Sequence, residues 1–210
     1  MTSGEGLRER KRRQTRARLT DAAMTLFLER GFEATTVDDI AAAAEVSKRS
    51  FFDYFPTKED VVSAWQDEFG SALADAVAKR PAGEALTKVV EEALISSMSA
   101  AMNPQSLAIA KLIRETPALS ERNYLKYSRL EQRLAEALAD RVKGEAGYFR
   151  SRLLALIVIG ALRIAEKDWH RQETAEISEP RLRAYARQVF QMVWAELRAL
   201  GDMARESDTA

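Results

Sequence analysis

Between residues 14 and 200 the apolar side chains fall three and four positions apart, segment after segment, and the breaks hold glycine, proline or a capping residue. That spacing is the 3.6-residue period of an amphipathic helix. No stretch alternates apolar and polar residues as a half-buried strand would, and no Asn-Gly hairpin signal or tandem repeat interrupts the series. The chain is expected to be all-α.

The first segment, Gln14 to Arg30, places Leu19, Ala22, Ala23, Leu26 and Phe27 on one face, and Gly31 stands where a positive-φ residue ends a helix. Thr36 followed by Asp39 is a capping-box pattern for a second helix of about two turns, with Val37, Ile40, Ala41 and Ala44 inward. Ser47 is a good N-cap for a third short helix that puts Phe51 and Phe55 on one side before Pro56 stops it. Thr57 and Asp60 open a long fourth helix with Val61, Trp65, Phe69, Leu73 and Val77 inward, ending before Pro81-Ala82-Gly83. Further stripes run over 86–102, 105–114, 127–142, 148–169 and 180–200. The stretch 148–169 is apolar almost all round, which suits a bundle centre or an interface.

Charge is distributed unevenly. The 210 residues carry 32 basic and 32 acidic side chains, a formal net charge of zero. Within the first 20, seven cations (Arg8, Arg10, Lys11, Arg12, Arg13, Arg16 and Arg18) face only Glu5 and Glu9, so this arm is +5 and the remainder is −5. Through Lys58 the balance is +2. A basic arm on a mildly acidic body suits a polyanionic partner better than the zero total suggests.

Two short helices joined by the turn Glu45-Val46-Ser47 have the arrangement of a helix-turn-helix. Burying Phe51 and Phe55 turns Lys48, Arg49, Phe52 and Asp53 outward, because 48/52 and 49/53 are i, i+4 pairs. Lys and Arg there can bond guanine O6 and N7 or phosphates, and an aromatic edge can meet a thymine methyl. Solvated surface charge is the plainer alternative for Lys48 and Arg49. Thr36, at a helix start, offers its hydroxyl and backbone N–H groups to a phosphate.

The segment ATTVDDIAAAAEVSKRSFFDYFPTKED, residues 34–60, closely resembles the DNA-binding domain of TetR-family transcriptional regulators. Gly31-Phe32, Thr35-Thr36-Val37, Val46-Ser47, the aromatic run Phe51 to Phe55, and Lys58-Glu59 match the family pattern without gaps. The resemblance implies a homodimer with one recognition helix per protomer, and a larger carboxy-terminal helical domain for dimerisation and ligand sensing. Many relatives have Gly where Glu45 stands, so a left-handed conformation there would cost roughly 1 kcal/mol. They often carry Tyr at Phe52 and His at Tyr54. The candidate DNA-contacting set is Thr36, Ser47, Lys48, Arg49, Phe52, Tyr54 and Lys58, with Arg12 and Arg13 from the arm.

Farther on, IRETPALSERNYLKYSRLEQRLAEALADR and LLALIVIGALRIAEKDW resemble the ligand domain of the TetR subgroup that includes the mycofactocin-system regulator. That resemblance points to a small-molecule effector, with an acyl thioester as one possibility, and to dimerisation through helices near 148–170 and 180–200, where Gly160 would allow close approach. Candidate pocket residues are Trp65, Phe69, Leu94, Met98, Met102, Ile113, Tyr124, Tyr127 and Leu130, each of which could equally be core. Arg163 has two readings: a carboxylate partner in the interface, or the anionic group of an effector.

The expected organisation is a disordered basic arm over 1–13, a three-helix DNA-binding domain over 14–57, a helical ligand-binding and dimerisation domain over 58–202, and a disordered tail over 203–210. Zero cysteines exclude disulfides, thiolate chemistry, zinc fingers and cysteine-ligated clusters, and His170 is the single histidine, so no metal set or nucleophile–base pair can be assembled with it. No cofactor and no enzymatic activity are expected. Leu153 to Ala165 is too short to span a bilayer, and the basic amino terminus lacks a following signal-peptide core, which predicts a cytoplasmic protein with no membrane partner. The expected partners are an operator in double-stranded DNA, a second copy of the chain and a small effector. A helical carrier or interaction protein that never touches DNA is the alternative.

Overall fold

The computed structural model describes residues 6–142, 144–171 and 178–207. Among them, all regular structure is helical: α1 (Leu7–Arg30), α2 (Val37–Ala43), α3 (Lys48–Phe52), α4 (Lys58–Ala78), α5 (Leu86–Ala101), α6 (Pro104–Glu115), α7 (Pro117–Ser120), α8 (Tyr124–Ala139), α9 (Glu145–Arg171) and α10 (Glu179–Ser207). The stop of α1 is the expected one. Gly31 has φ 84° and ψ 157°, a conformation open essentially to glycine alone, and its N–H donates to the Phe27 carbonyl.

Two compact units divide the chain, and the division differs from the one expected. The first comprises residues 1–68 and 103–126, the second 69–102 and 127–210. The first unit's core is built from Leu19, Ala23 and Phe27 of α1, Ile40 of α2, Phe51 and Phe55 around α3, and Val61 of α4. Ile109 and Ile113 of α6 and Leu119 of α7 enter the same cluster. The boundary at 57/58 therefore gives way to a discontinuous unit, because the apolar face of α6 completes the core formed by α1 to α3 and the start of α4. The second core gathers Leu73 and Val77, Val89 to Ile95, Leu130 to Leu138, Ala155 to Ile159, Ala186 and Phe190. There the Arg141 guanidinium closes the end of α4 by donating to the carbonyls of Val77 and Arg80, both at 3.1 Å.

The arm is also corrected. Helix α1 begins at Leu7 rather than near 14, so residues 7–13 of the segment expected to be disordered are helical. Arg, Lys, Glu and Gln are good helix formers, and they extend a helix whose later turns are anchored in the core. At the other end, α10 runs to Ser207, into the expected tail. Residues 1–5 and 208–210, and the side chain of His170, lie outside the described residues.

Candidate nucleic-acid interface

The geometry of the helix-turn-helix follows from its caps. Thr36 accepts from the Asp39 N–H at 3.1 Å, while the Asp39 carboxylate takes the Thr36 N–H at 2.9 Å and its hydroxyl at 2.6 Å. These bonds hold the Asp39 carboxyl below its ordinary range, with Arg30 adding a smaller electrostatic contribution. The Thr36 groups proposed for a phosphate are thus engaged by Asp39. Ser47 caps α3 in the same manner, accepting from the Ser50 N–H at 3.0 Å. Between the two helices Glu45 has φ 54°, the left-handed conformation expected at that turn residue.

Phe51 and Phe55 are buried at the centre of the unit, their ring centroids 5.8 Å apart. Their burial fixes the roll of α3 and leaves Lys48, Arg49, Phe52 and Asp53 exposed. Phe52 is 50% exposed and meets Phe51 edge-on. Tyr54 is half-buried against the core. Lys48 Nζ donates to Asp38 Oδ2 at 2.7 Å, whereas Arg49 makes no ion pair among the described residues. Lys58 is turned into the domain: its ammonium donates to the carbonyls of Phe32 at 2.8 Å and Thr35 at 3.2 Å and stands 4.3 Å from the Phe32 ring centroid. Arg12 lies exposed on the projecting part of α1, as does Arg13, which has a partner within the protein. Arg16 packs its guanidinium 5.3 Å from the centroid of Phe55.

The candidate pocket residues separate into the two units. Trp65 and Ile113 pack in the first core. Tyr124 also belongs to the first unit but is 68% exposed at the start of α8, so its ring lines no interior of that unit. Phe69, Leu94, Met98, Tyr127 and Leu130 come together in the second core. Met102 caps the end of α5 in the same unit, and Arg163 is exposed on α9. Tyr127 donates to Glu166 at 2.7 Å, and burial, reinforced by that carboxylate, raises its phenol well above the ordinary value. Sequence reasoning missed Asp38 and Glu166 as the partners of Lys48 and Tyr127, since separations of 10 and 39 residues leave no periodic signal. It also missed Ser97, Ser99 and Trp194, whose Oγ, Oγ and Nε1 atoms are buried without a hydrogen-bond partner among the described residues.

A small helical unit presenting a short helix with two cations and an aromatic ring above a buried aromatic pair, in a chain that also holds a second helical unit, defines a helix-turn-helix regulator. Residues 19–65 match the family described as bacterial regulatory proteins, tetR family, and residues 80–194 match the MftR C-terminal domain. The HTH-type transcriptional regulator TcmR of Streptomyces glaucescens is 32% identical over 180 residues, covering 80% of this chain and 78% of that one. The chain belongs to the TetR family of DNA-binding transcription regulators, whose members bind operators and dimerise. The HTH-type transcriptional repressor KstR2 of Rhodococcus jostii is 40% identical over 93 residues, 40% of this chain and 46% of that one. Among solved structures, GusR of Salmonella enterica shares the fold at 21% identity and TM-score 0.53, with 88% of this chain and 96% of that one covered. Family membership sets aside both the enzyme and the carrier readings. Among the described residues no helix is long and apolar enough to cross a membrane.

Proposed function

We propose that this regulator is a homodimeric repressor whose recognition helix is α3 and whose release from the operator is triggered by a small apolar or acyl effector. The exposed Lys48, Arg49 and Phe52, on the helix whose roll the buried Phe51 fixes, carry the DNA half of the reading. Cations suit guanine and phosphate, and the Phe52 edge suits a thymine methyl. Repression is supported by two relatives, KstR2 and DhaR, that are named as repressors.

Dimerisation through α9 and α10 is supported by an apolar row exposed among the described residues. Phe149, Leu153, Leu156 and Ile164 are exposed along α9 at helical spacing. Gly160 falls in the same row, and a Cβ built there meets nothing within 4 Å, so a partner helix can approach closely. On α10, Met192, Leu197 and Leu200 are exposed as well. Covering such surface is worth about 25 cal/mol per Å².

The effector reading draws on the second unit. Ser97 and Ser99 hydroxyls and the Trp194 indole N–H lie buried and unpaired among the described residues, in a unit whose core includes Phe69, Leu94 and Met98. Each unpaired donor costs about 1–3 kcal/mol, which an acceptor on a ligand would relieve. A largely apolar molecule bearing carbonyl oxygens fits that chemistry, as an acyl ester or thioester does. Release requires that the effector bind the protein better in its DNA-free geometry than in its DNA-bound one.

Selection of bound DNA from a random pool, with and without long-chain acyl thioesters, tests the reading. The expected products are inverted repeats with half-sites about 34–36 Å apart or a multiple of that, recovered poorly when the effector is present. Asymmetric sequences, or recovery indifferent to every acyl compound, would contradict the dimer or the effector respectively.

A further inference from the structure

Asp38 has no capping duty in α2, since Asp39 takes both Thr36 donors. Its carboxylate instead accepts from Lys48 Nζ at 2.7 Å, tying the first turn of α2 to the first residue of α3. Both side chains stay open to solvent, 56% exposed for Lys48 and 64% for Asp38. A pair so exposed contributes little to stability, because water screens it and two flexible chains lose rotamer freedom. What it changes is the chemistry of the recognition face.

An ammonium has three donors, and Asp38 engages one of them. Two donors therefore remain directly beside a carboxylate that keeps lone pairs of its own. Such a surface fits an edge that presents an acceptor and a donor at the same spacing. In the major groove guanine O6 and the cytosine N4 amino group are such neighbours, being hydrogen-bonded to each other at about 2.9 Å. Guanine N7 supplies a second acceptor next to O6 for the remaining ammonium donor. An A·T pair offers thymine O4 and adenine N6 at similar spacing, but it sets adenine N7 beside the carboxylate, where two acceptors oppose each other. A phosphate, with acceptors only, meets the Asp38 charge with repulsion.

We infer that Asp38 and Lys48 act as one reading unit for a G·C pair in each half-site. Lys48 bonds guanine, while Asp38 accepts from cytosine and holds the ammonium off the phosphate backbone. The inference rests on the recognition role proposed for α3.

The test compares the full-length parent with Asp38→Ala, Lys48→Ala and the double variant, on the selected operator and on operators with single base-pair changes. The parent should prefer G·C at one symmetric position by roughly tenfold, and each single variant should lose that preference as fully as the double variant does. Asp38→Ala should also bind unrelated DNA more tightly, with a log K against log salt slope steeper by about one, because the freed ammonium reaches a phosphate. An intact G·C preference in Asp38→Ala, or a uniform loss of affinity for all sequences, would overturn the proposal. Failure of the underlying assignment looks different: Lys48→Ala combined with Arg49→Ala would then bind the operator as the parent does.

Discussion

Lys58 Nζ lies 2.8 Å from the carbonyl oxygen of Phe32 and 4.3 Å from the centroid of the same residue's ring. One cation thus fastens the start of α4 to the segment between α1 and α2, whose Thr35 carbonyl it also engages. Replacing Lys58 with Met removes the donors and the cation–π contact while keeping much of the stem. Unfolding in urea should show a loss of about 1–2 kcal/mol, with affinity reduced alike for every DNA sequence. An unchanged urea midpoint would mean that the clamp contributes nothing to the domain.

Neighbouring phenylalanines should behave oppositely. Phe51 is wholly buried, so Phe51→Ala should cost about 3–5 kcal/mol of stability. Phe52 is half exposed, and Phe52→Ala should leave the melting temperature nearly unchanged while weakening operator binding. Paired thermal melts and binding titrations check both; a strongly destabilised Phe52→Ala would contradict the outward face of α3.

Glu45 holds φ 54° at the turn between α2 and α3. A side chain there costs about 1–2 kcal/mol, and glycine gives back part of that by loosening the unfolded chain. Glu45→Gly should therefore stabilise the protein by roughly 0.5–1 kcal/mol, read from denaturant midpoints. A destabilised variant would show that Glu45 adds a favourable contact outweighing the strain.

The capping box titrates in a defined direction. Hydrogen bonds from Thr36 hold the folded Asp39 carboxyl below the ordinary aspartate range, so the ionised form stabilises α2. That contribution is complete above the unfolded value and is lost as pH falls through the folded one. Parent and Asp39→Asn should differ in melting temperature at pH 7 and converge below about pH 4. A difference that persists undiminished to pH 2 would contradict the carboxylate's role.

The local pattern was legible in the sequence. The spacing of Leu19, Ala23 and Phe27 located α1 in the core, the Thr36/Asp39 and Ser47 patterns located the starts of α2 and α3, and Phe51 with Phe55 oriented the outward face. Contacts between distant segments were not. The start of α1 at Leu7 escaped because its first turns have no apolar stripe: after Leu7 come six charged, helix-favouring residues, Arg8 to Arg13. Ile109 and Ile113 joined the DNA-binding unit because an apolar face specifies burial but does not name the core that receives it. The internal engagement of Lys58 and the pairing of Lys48 with Asp38 likewise depend on segments 26 and 10 residues away.

Operator binding by the Lys48→Ala, Arg49→Ala double variant tests the central claim most directly. Both side chains are exposed, so the folded dimer should persist, as sedimentation and thermal melting would report. Site-specific binding should disappear while weak, salt-sensitive binding through the basic first turns of α1 remains. A double variant that binds the operator as tightly and as selectively as the parent would show that α3 is not the recognition helix.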